Sequence, residues 1–499
     1  MRKRARLARV VAGAVQGVPW PWACPFRRGW QAGVSPRLMM RCSLDPCRSS
    51  GVARVREDVL VRPVRVRRRG GWLFGALQLL PAKIARAEVG LAKIGRGAVW
   101  GQGAVAALVL VLGALALRQP VAAQEIVVTF GGDVNFARSR ETPDPYVVQK
   151  FGNVPIAVTT RNLAPFWDGD VNFINVETVV SDRDGLQDPG KSYVFRSHPE
   201  SLRHLMRLGV NAFALANNHA QDHGFQGLDD TRTFFAAEGR GDRPLLFAGI
   251  GAGKAAFAPR IFTLRGVRIA LSAATFGSGF FAPQGDRVGI AYVTMPDHYQ
   301  AVLDGLRRAD ADLRILSLHY GTENETALDP GQALLFRRGL EEAKVNLVLG
   351  HHPHVVRGVE AVPEQGQAIF YSLGNLLFVG GANRDGATLG LDYGLLGRAY
   401  FHRIGQGWQL SALEVLPLKG VHRAPHPLEP DRVAPTLNHL NRLSLRSVGA
   451  RAVNFSVAGP EGVTGIACFA QPWGPRAKAL CCPRISGRNL QCELPDDLM

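Results

Sequence analysis

Between Cys47 and Cys468 the chain has no cysteine; its seven are Cys24, Cys42, Cys47, Cys468, Cys481, Cys482 and Cys492. That absence excludes a disulfide inside the central region and any thiolate-held zinc there, so a metal in that region would be held by oxygen and nitrogen. A region of this size can fold on its apolar core without bridges. The four late cysteines lack zinc-knuckle spacing, and the adjacent Cys481-Cys482 pair argues against a disulfide framework.

Acidic residues are scarce at the other end. Residues 1–123 hold 4 Asp+Glu against 22 Lys+Arg, and since the totals are 41 and 59, residues 124–499 hold 37 of each. The net charge of +18 belongs to the first quarter, and the rest, being neutral, gives no support to a nucleic-acid partner. Residues 1–92 show no sustained periodicity; they read as a disordered basic leader or as translated sequence upstream of the true start.

Long hydrophobic runs are missing too, apart from a 14-residue apolar stretch at 104–117. It is shorter than the roughly 20 residues of a bilayer span. Lys93 and Arg96 precede it and Val121-Ala-Ala123 comes after it, which is the order of a secretory signal. The expectation for 93–123 is a signal peptide cleaved after Ala123, with an uncleaved membrane anchor as the alternative. Either places residues 124–499 in the periplasm or outside the cell.

From 124 to about 435 apolar strands alternate with helical segments at 199–209, after Gly227, at 297–309 and at 331–343, the pattern of an α/β domain. Late strands are expected at 391–401 and 408–416. One helix at 436–445 precedes an irregular tail, so 436–499 is expected to lie outside the domain.

What the central region does have is histidine at strand ends. The apolar run Asn346-Leu-Val-Leu-Gly closes on His351-His352-Pro-His354. On an extended backbone, residues two apart point to one side, so His352 and His354 are expected to meet one metal or two adjacent ones. Other apolar runs close on Asp133, on Asn175-Val-Glu177, on Asn217-Asn218-His219, on His319 and on Asn375. Ligands gather at the carboxyl ends of strands in open α/β sheets, so six such endings predict one shared site. The residue types fit metal chemistry. Carboxylates and amide oxygens are hard ligands, neutral imidazoles bind transition metals, and a second imidazole can move a proton. Asp222 and Glu323 lie within four residues of His219 and His319 and complete the candidates.

In this order the motifs Gly132-Asp133, Asn175-Val-Glu177, Tyr193-Val-Phe195, Asn217-Asn-His219 with Asp222 and Gly224, His319-Tyr-Gly321 with Glu323, Gly350-His-His-Pro-His354 and Ser372-Leu-Gly-Asn375 resemble the CapA-type poly-γ-glutamate capsule synthesis proteins, relatives of the calcineurin-like metallophosphatases. The resemblance runs over about 125–420. It implies a four-layer α-β-β-α sandwich, flanked by irregular extensions, with one or two divalent ions (Mn, Fe or Zn) between the sheets. The implied ligands are Asp133, Glu177, Asn218, His319, His352 and His354, with His219 as proton donor. Asn135 stands where the phosphatases carry a histidine two places after the aspartate, and Tyr320 where the capsule family usually has Trp.

The resemblance implies a metal-dependent hydrolase-type protein in synthesis, export or release of poly-γ-glutamate or a related cell-surface polymer. Two alternatives stay open: a non-catalytic subunit that binds an anionic polymer or a membrane-bound synthase, and a periplasmic phosphodiesterase or nucleotidase acting on a phosphoester. If 93–123 is the export signal, a chain started at Val89 is exported as well as the full one, and terminal sequencing finds Gln124 first. Export that requires residues 1–88 refutes this.

Overall fold

The computed structural model describes residues 124–482, apart from 137–146, 149–153, 184, 187–190, 241–244, 380–392, 460, 470 and 471. The leader, the signal segment and residues 483–499 lie outside the described residues, as do Gly380, Gly381 and the first two residues of the strand expected from 391.

Two sheets face each other. Their strands are β1 (Glu125–Asn135), β2 (Val171–Val176), β3 (Ala212–Ala214), β4 (Leu246–Ala248), β5 (Arg260–Leu264), β6 (Val267–Thr275), β7 (Leu313–His319), β8 (Leu347–His351), β9 (Val359–Val362), β10 (Gln367–Phe370), β11 (Asn375–Phe378), β12 (Gly394–Ile404), β13 (Gly407–Lys419), β14 (Ser456–Ala458) and β15 (Thr464–Cys468). The ten-stranded sheet runs β14-β15-β13-β12-β1-β2-β3-β4, with β11 beside β1 and His426–Pro427 beside β13. The six-stranded sheet runs β5-β6-β7-β8-β10-β9. β1 is the hinge of the first sheet, parallel to β2 and β11 and antiparallel to β12.

The strands are apolar on both faces because both faces are covered. Leu313 and Ile315 of β7 and Leu347 and Leu349 of β8 face the space between the sheets, whereas Leu316, Leu318 and Val348 face outward. Phe130 and Phe370 meet across the inter-sheet core with centroids 4.8 Å apart, edge to face. Outside the six-stranded sheet, Val302 and Leu306 of α3 (Pro296–Arg308) and Phe336 and Leu340 of α4 (Gln332–Ala343) close the second core. α1 (Pro199–Arg207) and α2 (Gly224–Glu238) bring Leu202, Leu205, Leu228 and Phe235 to the other sheet. The layers are those of the α-β-β-α sandwich. Each aromatic or aliphatic side chain so buried contributes roughly 1.5–3 kcal/mol.

Three expectations do not hold. The region after Pro435 is not an irregular tail over its described part. α5 (Pro430–Val448) runs through Pro435, held by burial of Val433, Leu437, Leu440 and Leu443, and its Ser444 Oγ accepts the Val359 amide at 2.9 Å. β14 and β15 then extend the ten-stranded sheet. α6 (Pro475–Cys481) returns to the start of β1, where the Glu125 carboxylate accepts the amides of Arg476 and Ala477 at 2.9 and 3.0 Å.

The second difference is a disulfide. β15 pairs with β13 and α6 packs on Tyr400 and Ala412, which brings Cys468 and Cys481 to a Cα separation of 5.8 Å, and they are bonded. The third concerns Asn375. β10 stops at Phe370, and the chain crosses through Gly374, at φ +66°, so Asn375 opens a strand of the other sheet rather than closing β10.

Gly132 is where the two chain passages touch. A Cβ there would stand 1.9 Å from the Gly374 carbonyl oxygen, which also accepts the Asp133 amide at 3.1 Å. Gly132→Ala is expected to destabilise the fold by about 1–3 kcal/mol, read as a lowered midpoint in chemical denaturation, and to loosen the site around Asp133.

Candidate metal centre

Strand register sets the site. Across the ten-stranded sheet, Asn375, Asp133 and Asn175 share a rung, after a register shift between Phe130 and Asp133 in the pairing of β1 with β2. Across the six-stranded sheet Thr275, His319 and His351 share a rung. The two rows face each other, and the residues just past the strand ends, Glu177, Asn217, Asn218, His219, His352 and His354, fill the space between.

Asp133 is fully buried. Its Oδ1 accepts Asn175 Nδ2 at 2.8 Å and lies 3.2 Å from His351 Nδ1; its Oδ2 accepts the His352 amide at 3.3 Å and lies 3.3 Å from His354 Nδ1. Burial alone would raise its pKa, but His351 and His354 beside it hold the carboxyl well below the usual range. Glu177 is the opposite case. It is fully buried with neither oxygen hydrogen-bonded. Around its Oε1 stand three imidazole nitrogens, His319 Nε2 at 3.5 Å, His354 Nε2 at 3.7 Å and His219 Nε2 at 4.0 Å. Burial and the neighbouring Asp133 push its pKa well above the carboxylate range.

A buried carboxylate without a hydrogen bond is costly unless something else compensates it. His352 Nδ1 and His351 Nε2 are likewise buried without partners. These orphaned atoms, in a set of carboxylates, imidazoles and amides with no thiolate, fit a divalent cation. Among the described residues three groups have ligand atoms within 4.8 Å of one another: Glu177, His319 and His352; Asp133, Glu177 and His354; and Glu323, His352 and His354. Glu177, His352 and His354 each belong to two of them, so the three groups form one connected cluster.

A family model described as bacterial capsule synthesis protein PGA_cap matches residues 127–379, just over half the chain. The chain belongs to that family. Among its relatives this PGA_cap chain is 29% identical over 211 residues to the PGA biosynthesis protein CapA of Bacillus subtilis, covering 42% of the chain and 53% of that protein. It is 32% identical over 221 residues to a probable polyglutamine synthesis accessory protein of Mycobacterium tuberculosis, covering 42% and 55%. The chain thus spans about half the length of the curated relatives it matches. Among solved structures it is similar to the calcineurin-like phosphoesterase YfkN of Bacillus subtilis, at 11% identity and a TM-score of 0.36, over 64% of this chain and 98% of that one.

In the PGA_cap chain all the candidate residues come together, in different ways. Asn218 Oδ1 is 2.8 Å from His319 Nε2, and Asn217 Nδ2 donates to the Val176 carbonyl at 2.7 Å, so Asn217 braces the loop while Asn218 faces the cluster. His219 lies behind them with Nδ1 2.7 Å from Asp222 Oδ2, which leaves Nε2 turned toward Glu177. Asn375 Oδ1 is 2.9 Å from His354 Nδ1 and orients that ring. His351 packs on Phe173 and serves Asp133.

His352 and His354 do not meet by strand alternation, which corrects the expectation from their spacing. β8 ends at His351, and His352 and His354 have φ of +95° and +56°. A left-handed turn around Pro353, not an extended backbone, brings their rings to 6.0 Å centroid separation. Non-glycine residues in that region are uncommon and costly, and they persist where the surroundings fix them. Here the Asp133 contact to the His352 amide does so.

Four residues carry roles that the sequence did not assign. Phe276, just past β6, packs on His352 at 4.5 Å, and Phe195 packs on His219 at 4.2 Å. Arg357, fully buried, ties down the Glu323 loop through Asp329 at 2.6 Å and the Thr322 and Glu325 carbonyls at 3.0 and 2.8 Å. Lys191 Nζ reaches Asp222 Oδ1 at 2.5 Å. Phe195 stands within the Tyr193-Val-Phe195 motif; the other three have no signal beyond a strand end or a loop.

Burial lowers the pKa of His319 well below the imidazole range, and that of His352 to about 3. Both are neutral at pH 7, as ligands must be. Burial also disfavours charge on His354, but its hydrogen bond to Asp133 outweighs that and raises its pKa. A metal therefore has to displace protons held above their usual range on His354 and Glu177. Affinity should fall as the pH is lowered, with proton release on binding, measurable by calorimetry in buffers of different ionisation enthalpy. His352→Ala with His354→Ala should abolish bound metal in elemental analysis while circular dichroism stays native; unchanged metal content would exclude these two as ligands.

Proposed function

We propose that the chain is an extracytoplasmic, metal-dependent hydrolase-type protein acting in the synthesis, export or release of poly-γ-glutamate. Family membership and the names of the relatives, a PGA biosynthesis protein and a polyglutamine synthesis accessory protein, support the polymer. The signal-like segment supports the compartment, and so does the Cys468–Cys481 disulfide, since such bonds persist where the environment is oxidising.

The observation that carries the hydrolytic reading is the pairing of an orphaned buried Glu177 with a held imidazole. Asp133, Glu177, Asn218, His319, His352 and His354 would hold one or two ions of Mn, Fe or Zn. When bound, such an ion supplies Lewis-acid activation of water and of the scissile group. The chain's own residues do the rest. Asp222 fixes the Nδ1–H tautomer of His219, so Nε2 is the atom that gives a proton to a leaving group or takes one from a nucleophile. Phe195 and Phe276 cover the imidazoles on two sides and keep bulk water from them.

The name of the Mycobacterium tuberculosis relative favours a second reading, an accessory subunit that binds polymer without cleaving it. His219→Asn separates the two. For a hydrolase, turnover of a γ-linked glutamate polymer drops roughly 10²–10⁴-fold while metal content holds, and polymer production in cells falls with it. Asn218→Ala should instead weaken metal retention. Production unchanged by His219→Asn but lost with Asn218→Ala would overturn catalysis and leave the metal a structural part of the accessory subunit.

A further inference from the structure

The cluster is rich in carboxylates, with Asp133, Glu177 and Asp222 fully buried and Glu323 exposed beside it. Arg357 cannot offset them toward solvent, because it is buried and spent on Asp329, Gln332 and carbonyls. Lys191 is placed differently. Its Nζ lies 2.5 Å from Asp222 Oδ1 and 3.0 Å from the backbone oxygen of Asn218, and its side chain keeps 34% of its exposure. An ammonium has three donors. Two are directed at Asp222 and Asn218, which leaves one for an acceptor arriving from solvent.

The position of that ammonium is fixed by a clasp. Asp222 Oδ2 accepts the Phe195 amide at 2.7 Å while Oδ1 accepts Lys191, so one buried carboxylate grips segment 191–195 at both ends. The Phe195 ring is wedged between His219 at 4.2 Å and Phe378 at 5.3 Å. The same Asp222 orients His219. The proton-transfer imidazole and the exposed cation are therefore held in a constant relation by one side chain, the pre-organisation that recognition of a charge next to a reacting bond requires.

We propose that Lys191 is the specificity-determining residue of this site, receiving a free carboxylate of a γ-linked glutamate chain whose neighbouring bond lies at His219. This role rests on the polymer reading. A γ-linked glutamate chain keeps one α-carboxylate per residue, so any bond brought to His219 has such a group beside it. A neutral chain gains nothing from the ammonium. A phosphoryl group offers the same oxyanion chemistry, so the experiment has an arm for it.

The full-length, metal-loaded protein is titrated calorimetrically with a γ-linked glutamate oligomer, with the same oligomer as its α-carboxamide, and with inorganic phosphate. Lys191→Met should weaken oligomer binding roughly tenfold, with metal content unchanged, and Lys191→Arg should restore most of it. The carboxamide oligomer should bind wild type and Lys191→Met alike. If wild type binds the oligomer and Lys191→Met binds it equally well, the assignment of Lys191 falls while the polymer reading stands. If Lys191→Met loses phosphate binding but not oligomer binding, the carboxylate is the wrong anion. If wild type binds no oligomer, the polymer reading itself fails, and the carboxylate role of Lys191 with it.

Discussion

The arrangement hangs on one buried carboxylate. Glu177 sits in the inter-sheet space with no hydrogen bond to either oxygen, beside Asp133 and within 4.0 Å of three imidazole nitrogens. Two carboxylates that close cannot both stay charged in a low-dielectric interior without a positive partner. Asp133 has His351 and His354; of the imidazoles around Glu177, burial disfavours charge on His319 and His219, and His354 is already engaged by Asp133. A cation resolves the conflict, and without one Glu177 is driven toward its protonated form.

The surroundings are shaped by keeping that space open yet structured. Five chain passages end there with a polar group at or near the point where the apolar run stops, and Asn375 opens a sixth. The braces are amides, Asn175 on the Asp133 carboxylate, Asn375 on the His354 ring and Asn217 on the Val176 carbonyl, and they add no charge. Aromatic rings stand where imidazoles would otherwise meet solvent. Arg357 is the exception, a buried charge that stiffens the Glu323 loop.

Much of this was legible in the sequence, because strand ends advertise themselves. An apolar run that stops on Asp, Asn-His or His-His needs only the rule that ligands collect at strand ends, and the site residues named on that ground all meet. What was not legible has physical causes. Proline at 435 reads as a helix boundary, but burial of Leu437, Leu440 and Leu443 holds the helix through it. The His352-His354 pairing depends on positive φ, which a residue-by-residue reading assigns to glycine. Lys191 and Arg357 matter through partners 31 and 28 residues away, and no local pattern marks such contacts.

The position of β1 has a consequence for the order of events as the chain is made. This strand supplies Asp133, yet its neighbours β11 and β12 come far later, the His352 amide that meets Asp133 is 219 residues on, and the Glu125 carboxylate waits for an amide 351 residues on. A polypeptide synthesised from its N-terminus therefore carries its first strand unpaired on one side until nearly all of the domain has emerged. Non-local pairing of this kind slows folding and leaves an apolar edge exposed to other chains. The central strand of the finished sheet is, for most of its early life, an edge.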